Sequence, residues 1–231
     1  MSEANLEREF RRELDSRLKK LGFERSRTSW LCGDYSREIA GVQQVLGIRI
    51  EPYVDDLEAE IVNASVRFND VEDIVAKFED PHPLIGPEDI AARSTLTAQT
   101  SSIKPGPSDP LRGWGGENRK VWLVRSRDEI PSIASEIVAC VSKECEPTLA
   151  ALSNPDHALV LLSGDDEQSR SYSGPDASRA KRSIALALLL RGGSAARELA
   201  KTKSARLKGE PRAEVEKWTD RLFQAEGVVV K

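Results

Sequence analysis

The feature that most constrains the fold is an amphipathic helix that ends at a glycine and leads directly into strands. The apolar residues of this segment recur at spacings of four and three, which places them on one helical face. They are Leu6, Phe10, Leu14, Leu18 and Leu21. Gly22 is the residue type that most readily ends a helix, and Phe23 is expected to fold back onto the last turn.

Alternating apolar and polar residues predict antiparallel strands after this helix. Residues 26–32 predict a short strand, with a turn at Gly33 and Asp34. Two longer runs follow, each with one apolar face and one more polar face. Their apolar positions are Val42, Leu46, Ile48 and Ile50 in the first run and Val62, Ala64, Val66 and Phe68 in the second. The connections are too short for parallel crossovers, so hairpins are expected.

Helical patterns dominate the rest of the chain. A long helix is predicted from Asp128 to Leu152, and Pro147 is expected to kink or end it. The short apolar run at 158–162 fits either a helix or a strand.

The last third is predicted to form three helices. The first closes at the glycine pair 192–193, the second begins at Ser194, and the third begins near Pro211. Together these patterns predict an α+β protein, in which a mostly antiparallel sheet is covered by helices and followed by a C-terminal helical segment. The predicted domains are residues 1–163 for the α+β part and residues 175–231 for the helical segment.

Composition narrows the class of protein. No apolar run approaches the ~20 residues that span a bilayer, and the first residues lack the basic start and apolar stretch of a signal peptide. Three cysteines argue against a disulfide framework and for a reducing compartment. A cytoplasmic protein without membrane association is therefore expected.

Charge is distributed unevenly along the chain. Residues 176–231 hold 13 Lys and Arg against 7 Asp and Glu, a net charge of +6, which leaves −10 for residues 1–175. The basic segment could dock on the acidic part or face an anionic partner. Oppositely charged, solvated faces are the plainer interpretation.

The order of these features resembles a bacterial family catalogued as domain of unknown function 4304. The resemblance covers about residues 5–160. It rests on Leu21-Gly22-Phe23, Trp30, Gln43, Trp122 and the helix from Asp128 to Leu152. The chain departs from the family pattern in its long stretch at 81–118 and in its charged C-terminal helices. The resemblance implies no catalytic residues. By analogy at the level of the fold, it implies an accessory or immunity protein of a bacterial toxin or defence system.

Two features are candidates for binding a protein partner. An acidic loop carries Asp55, Asp56, Glu58 and Glu60, whose carboxylates would suit a basic partner such as a toxin or effector. A glycine-rich loop carries Trp114, a residue type enriched at interface hot spots. The plainer interpretations are a solvated acidic turn and a tryptophan that packs its loop onto the core.

The alternative function is nucleic-acid binding through a basic stretch of the C-terminal helices. Five residues would supply phosphate contacts: Arg197, Lys201, Lys203, Arg206 and Lys208. No recognition helix is convincingly placed after them. The sequence therefore favours a non-catalytic, protein-binding module, with no metal or cofactor predicted and with the oligomeric state left open. An enzyme with a dispersed carboxylate or Cys–His site is the least supported class.

Overall fold

The computed structural model of the protein describes residues 3–25, 33–53, 56–80, 94–99, 120–173 and 175–225. Two compact units share these residues. The first comprises Met1–Val66 and Thr97–Ala151, and the second comprises Arg67–Leu96 and Leu152–Lys231. The chain combines a six-stranded sheet with helices, so the predicted α+β class is confirmed. The two units are not the predicted domains 1–163 and 175–231, because residues 67–96 and 152–163 group with the C-terminal helices.

The first unit opens with helix α1 (Glu3–Leu18), followed by a short 3-10 turn. Its apolar stripe is buried as the spacing predicted, with Phe10, Leu14 and Leu18 fully enclosed. Gly22 takes a φ of 81°, and the Phe23 amide donates to the Leu18 carbonyl at 3.1 Å. The predicted glycine stop and the folding back of Phe23 are therefore confirmed.

The sheet follows in chain order. Its strands are β1 (Glu24–Arg25), β2 (Gly33–Ile39), β3 (Val42–Tyr53), β4 (Asp56–Phe68), β5 (Leu96–Gln99) and β6 (Lys120–Val124). The spatial order is β1-β2-β3-β4-β5, and β6 pairs antiparallel with the first half of β4.

The predicted turn at Gly33 and Asp34 is wrong. Both residues belong to β2, where they pair with Ile48 and Gly47 of β3. The hairpin turns instead at Ala40 and Gly41, whose φ angles of 52° and 79° are those of a type I′ turn. A turn of this type matches the twist of the flanking strands. Because it begins only at Ala40, β2 extends through Gly33–Ile39. The short strand predicted at 26–32 lies outside the described residues.

The long helix predicted after the sheet is present as three successive pieces. These are α3 (Ile130–Cys140), a π-helical turn (Val141–Cys145) and α4 (Glu146–Leu152). Pro147 therefore does not end the helix. It has no N–H to donate to the preceding turn, and the wider π turn lies directly before it. A buried stripe continues through all three pieces: Ile133, Ile137, Val141, Cys145 and Leu149.

The second unit is mostly helical. Its helices are α2 (Asn69–Phe78), α5 (Pro155–Ser163), α6 (Glu167–Ser171), α7 (Asp176–Arg206) and α8 (Gly209–Ala225). The ambiguous run at 158–162 is helix, and the Asn154 side chain caps it by accepting from the His157 amide at 3.0 Å. No described helix has the length and apolar character needed to cross a bilayer.

Helix α7 changes direction at Gly192. This residue has φ 80° and ψ 179°, a conformation that is essentially restricted to glycine. The predicted division into two helical segments at the glycine pair is therefore confirmed. The first segment is enclosed on nearly all sides from residue 179 to residue 187, including its charged residues.

Candidate functional site

The acidic candidates do not form an exposed loop. Asp56, Glu58 and Glu60 lie in strand β4, whereas Asp55 and Trp114 fall outside the described residues. Glu60 is buried and bonds to the guanidinium of Arg49 on the neighbouring strand, and Glu58 lies 3.8 Å from the same group. The expectation of an acidic loop at these three residues is corrected, because the chain re-enters the sheet at Asp56.

Asp56 is also paired, since its carboxylate lies 3.8 Å from the Arg125 side chain. These carboxylates are therefore partly neutralised within the first unit. Any partner that binds these carboxylates must compete with Arg49 and Arg125. This weakens the hypothesis that they form a negative surface that attracts a basic partner.

The basic candidates of α7 are mostly engaged inside the second unit. Lys203 is buried, and its ammonium donates to the Ser163 carbonyl at 2.7 Å and to Asp165 at 3.1 Å. Arg206 bonds to the same Asp165 carboxylate. The guanidinium of Arg197 lies over the ring of Phe223, 4.4 Å from its centroid.

Lys201 and Lys208, the other two basic candidates, are exposed. The five cations therefore do not combine into one phosphate-binding surface, which requires solvent-facing cations side by side.

The pKa values around Asp165 agree with this enclosed arrangement. Burial alone would raise the pKa of Asp165, but the hydrogen bonds from Lys203 and Arg206 outweigh it and hold the pKa below its usual value. Burial lowers the pKa of Lys203, and the bond to Asp165 offsets only part of that effect. This group of residues joins the helix ends of the second unit and leaves little charge for a ligand.

A more open feature of the second unit is an apolar groove between α5 and the two segments of α7. Its volume is about 360 Å³. The wall residues are Leu159, Val160, Ser163, Ala187, Arg191, Ala195, Glu198, Leu199 and Thr202. We call this feature the α5–α7 groove.

The chain builds the groove from the break in α7. Ala187 and Arg191 precede Gly192, whereas Ala195, Glu198 and the other α7 wall residues follow it. The small side chains at 187 and 195 leave space that a larger residue would fill. The groove therefore depends on a glycine conformation and on two alanines rather than on a recognisable motif.

One of the large exposed apolar side chains lies in the wall of the groove. Val160 in its wall is 63% exposed, and Leu189 and Leu190, which directly precede Arg191, are 47% and 40% exposed. Ile39 of the first unit is the remaining large apolar residue exposed among the described residues. An exposed apolar side chain in the wall of an apolar groove is a candidate contact for a partner.

Polar groups in the groove retain bonding capacity. Arg191 pairs with Asp156 at a loose 3.5 Å, and the Glu198 carboxylate has no partner among the described residues. The Ser163 hydroxyl is buried and makes no hydrogen bond within the described part of the chain. Buried hydroxyls are normally hydrogen-bonded, and this one is enclosed too far to contact a partner directly.

Sequence reasoning missed this groove, although a signal was present. Residues 158–162 are five consecutive apolar residues, and residues 184–190 are seven. A helix on a protein surface buries only one face, so an uninterrupted apolar run leaves at least one side chain exposed.

The described residues show no candidate metal centre. Within them, no three His, Cys, Asp or Glu side chains come close enough to hold a metal ion. Comparisons with protein-family models, curated proteins and solved structures find no match to this chain. The resemblance to domain of unknown function 4304 stays a prediction.

Proposed function

We propose that this protein is a non-catalytic, protein-binding module and that the α5–α7 groove is its partner-binding surface. The observation that carries the proposal is the exposure of Val160, which lines the groove and is the most exposed of the four large apolar side chains that are exposed among the described residues. Fully burying an apolar side chain of this kind yields about 1.5–3 kcal/mol, and a partner that covers Val160, which is 63% exposed, gains part of that.

The occupant that fits the groove is an amphipathic helix with a basic residue at its edge. The two segments of α7 and α5 form the walls, and a helix of the partner can lay an apolar face between them. The carboxylate of Glu198, which has no ion-pair partner among the described residues, complements a Lys or Arg beside that face. A basic helix is also consistent with the toxin or effector partner implied by the family resemblance.

The contacts of the C-terminal helices favour this function over nucleic-acid binding. Lys203 and Arg206 form ion pairs with Asp165, and the guanidinium of Arg197 lies over the ring of Phe223. The partner contacts expected at Asp55 and Trp114 remain part of the proposal as secondary sites.

The test starts with partner capture from native lysate after nuclease treatment, using wild-type protein as bait. The captured protein is then purified, and its affinity for three baits is measured: wild type, Val160→Asp and Ile39→Asp. Val160 and Ile39 are both exposed, so either substitution should leave the fold intact, as checked by circular dichroism.

We expect Val160→Asp to weaken the complex at least about tenfold, because it places a charge in the apolar interface. Ile39→Asp should bind like wild type. Reversing the charge in Glu198→Lys should weaken binding of a basic helix further. Equal affinity of all baits would refute the groove as the binding surface, and recovery of nucleic acid alone would refute the protein-binding function.

The more specific role as an immunity or accessory protein has its own readout. If the captured partner inhibits growth when expressed alone, co-expression of the wild-type module should restore growth. Val160→Asp should fail to restore it while Ile39→Asp succeeds. A partner without any effect on growth would remove the immunity role and leave the binding function standing.

A further inference from the structure

A second cleft lies in the first unit and is lined by arginines. Its volume is about 530 Å³. The wall residues are Glu7, Arg8, Arg11, Arg12, Asp15 and Arg25. Arg8, Arg11, Arg12 and Asp15 follow the three- and four-residue spacing that puts side chains on one face of α1. Arg25 reaches the cleft from β1. We call this feature the arginine cleft.

Part of the charge in this cleft is neutralised internally. Arg11 donates to Glu7 at 2.7 Å and to the Ile50 carbonyl at 3.0 Å. Asp15 accepts a hydrogen bond from the Tyr35 hydroxyl at 2.7 Å and lies 3.8 Å from the Arg25 guanidinium. Both carboxylates of the cleft are therefore engaged by neighbouring donors.

The remaining guanidinium groups have donors to spare. Within the described part of the chain, Arg8 bonds only to the side-chain oxygen of Asn5, at 2.8 Å, and Arg12 has no partner. Four guanidinium groups face two carboxylates, which leaves two positive charges without a counter-charge from the cleft itself. Arginines one turn apart that lack carboxylate partners repel each other, and a bound anion removes that repulsion.

Asp15 in the wall of the cleft is held in place by a buried tyrosine. Tyr35 is fully buried and anchors Asp15 through its hydroxyl. Burial, together with the neighbouring Asp15, raises the pKa of Tyr35 far above its usual value, so the hydroxyl stays protonated and donates to Asp15 at neutral pH. Such preorganisation reduces the cost of ordering side chains when a ligand binds.

We propose that the arginine cleft binds an anion with two or more phosphate groups, of the size of pyrophosphate or a nucleoside diphosphate. The fork of an arginine matches two phosphate oxygens at once, and two phosphate groups suit the two spare guanidiniums of Arg8 and Arg12. The volume lies within the 300–1,000 Å³ range typical of small-molecule sites. The site is separate from the α5–α7 groove and does not depend on the function proposed for it.

The test is calorimetric titration of the full chain with inorganic pyrophosphate at low ionic strength. The wild type is compared with the double variant Arg8→Ala/Arg12→Ala and with the control Arg212→Ala/Lys208→Ala, which removes the same number of positive charges, two, outside the cleft. Arg212 is an exposed arginine on α8 that pairs with Glu216, so its loss changes the net charge without touching the cleft. We expect the double variant to lose at least about tenfold in affinity and the control to bind like wild type.

The variant Asp15→Asn should change the affinity for pyrophosphate in the opposite direction. Its amide oxygen still accepts from Tyr35, but the negative charge inside the cleft is gone, so pyrophosphate should bind several-fold tighter. Titration with ADP distinguishes a nucleotide from a free phosphate compound. Tighter binding of ADP identifies a nucleotide ligand, and equal binding identifies recognition of the phosphates alone.

Three results would overturn the proposal. The first is no heat of binding for wild-type protein, and the second is equal affinity of the wild type and the double variant. The third is a single-stranded oligonucleotide that binds tighter than pyrophosphate, with a steeper salt dependence and the same loss in the double variant. That result would replace the small ligand with a nucleic-acid backbone.

Discussion

The two units differ in how far their cationic side chains are buried and paired with carboxylates. In the second unit, four cationic side chains are enclosed to between 3% and 6% exposure: Arg179, Lys181, Arg182 and Lys203. Each has a carboxylate partner within hydrogen-bonding distance. In the first unit, Arg8 and Arg12 face solvent and have no carboxylate partner among the described residues.

This contrast shows that net charge along a sequence is a poor guide to where a protein offers charge. The segment 176–231 carries +6, yet among its described cations only Lys201 and Lys208 lack an ion-pair or ring partner within the described ranges. The acidic part of the sequence instead holds the cleft with spare guanidiniums. The charge that a surface presents depends on whether its charged side chains have ion-pair partners nearby in the fold.

The largest expected effect comes from breaking a buried ion pair of the second unit. Arg182 donates to both oxygens of Glu72, at 2.8 and 3.1 Å, and Thr95 donates to the same carboxylate at 2.7 Å. Glu72→Gln removes the charge and leaves Arg182 enclosed without a counter-charge. We expect a loss of about 3–5 kcal/mol in the free energy of unfolding, measured by urea denaturation.

Two further variants show whether charge is the cause. Glu216→Gln, in the exposed pair with Arg212, should change stability by no more than about 0.5 kcal/mol. The double variant Glu72→Met/Arg182→Met should recover most of the loss, since apolar residues of similar size can replace a buried pair. A loss in Glu72→Gln no larger than in Glu216→Gln would remove the contrast between the units.

A smaller loss is expected for the corresponding pair in the first unit. Arg49 bonds to the buried Glu60 but is itself one-third exposed, so water can reach the pair. Arg49→Met should cost about 1–2 kcal/mol in the free energy of unfolding, because Glu60 is left without its main cation. The same urea denaturation measures it, with Arg212→Met as the exposed control. A cost equal to that of Glu72→Gln would mean that both units enclose charge to the same degree.

The smallest effect is a change in pH dependence at Asp165. Because the folded protein lowers the pKa of this carboxyl, its stabilising contribution is present above the usual pKa of 3.8 and is lost as the pH falls through the lowered value. Asp165→Asn should therefore be less stable than wild type near neutral pH. The difference should shrink as the pH falls below 3.8, as measured by thermal unfolding at several pH values. A difference that stays constant down to the acid limit would contradict the paired carboxylate.

Much of the first unit could be predicted from the sequence. The spacing of Phe10, Leu14 and Leu18 identified the buried face of α1, and Gly22 identified its end, because both follow from local geometry. The hairpin turn was misplaced, since Gly33 and Asp34 are typical turn residues whereas Ala40 rarely takes a positive φ. Pairing of β2 with β3 overrode that local preference.

The candidate sites were much harder to predict. The acidic run at 56–60 indicated an exposed loop, because a sequence does not show that Arg49 lies on the neighbouring strand. The α5–α7 groove joins residues around 160 with residues around 190, and nothing in their spacing connects them. Arg25 likewise joins the arginine cleft only because β1 follows the turn at Gly22.

The sequence by itself determined the buried face and the end of α1, the α+β class and the break in α7 at Gly192. These follow from periodicity and from the conformational freedom of glycine, which act over a few residues. Only the tertiary structure decided which charges are enclosed and which remain available. Pairing energies and burial depend on side chains that are distant in the chain, so Lys203 became an internal contact while Arg12 became a candidate ligand-binding group.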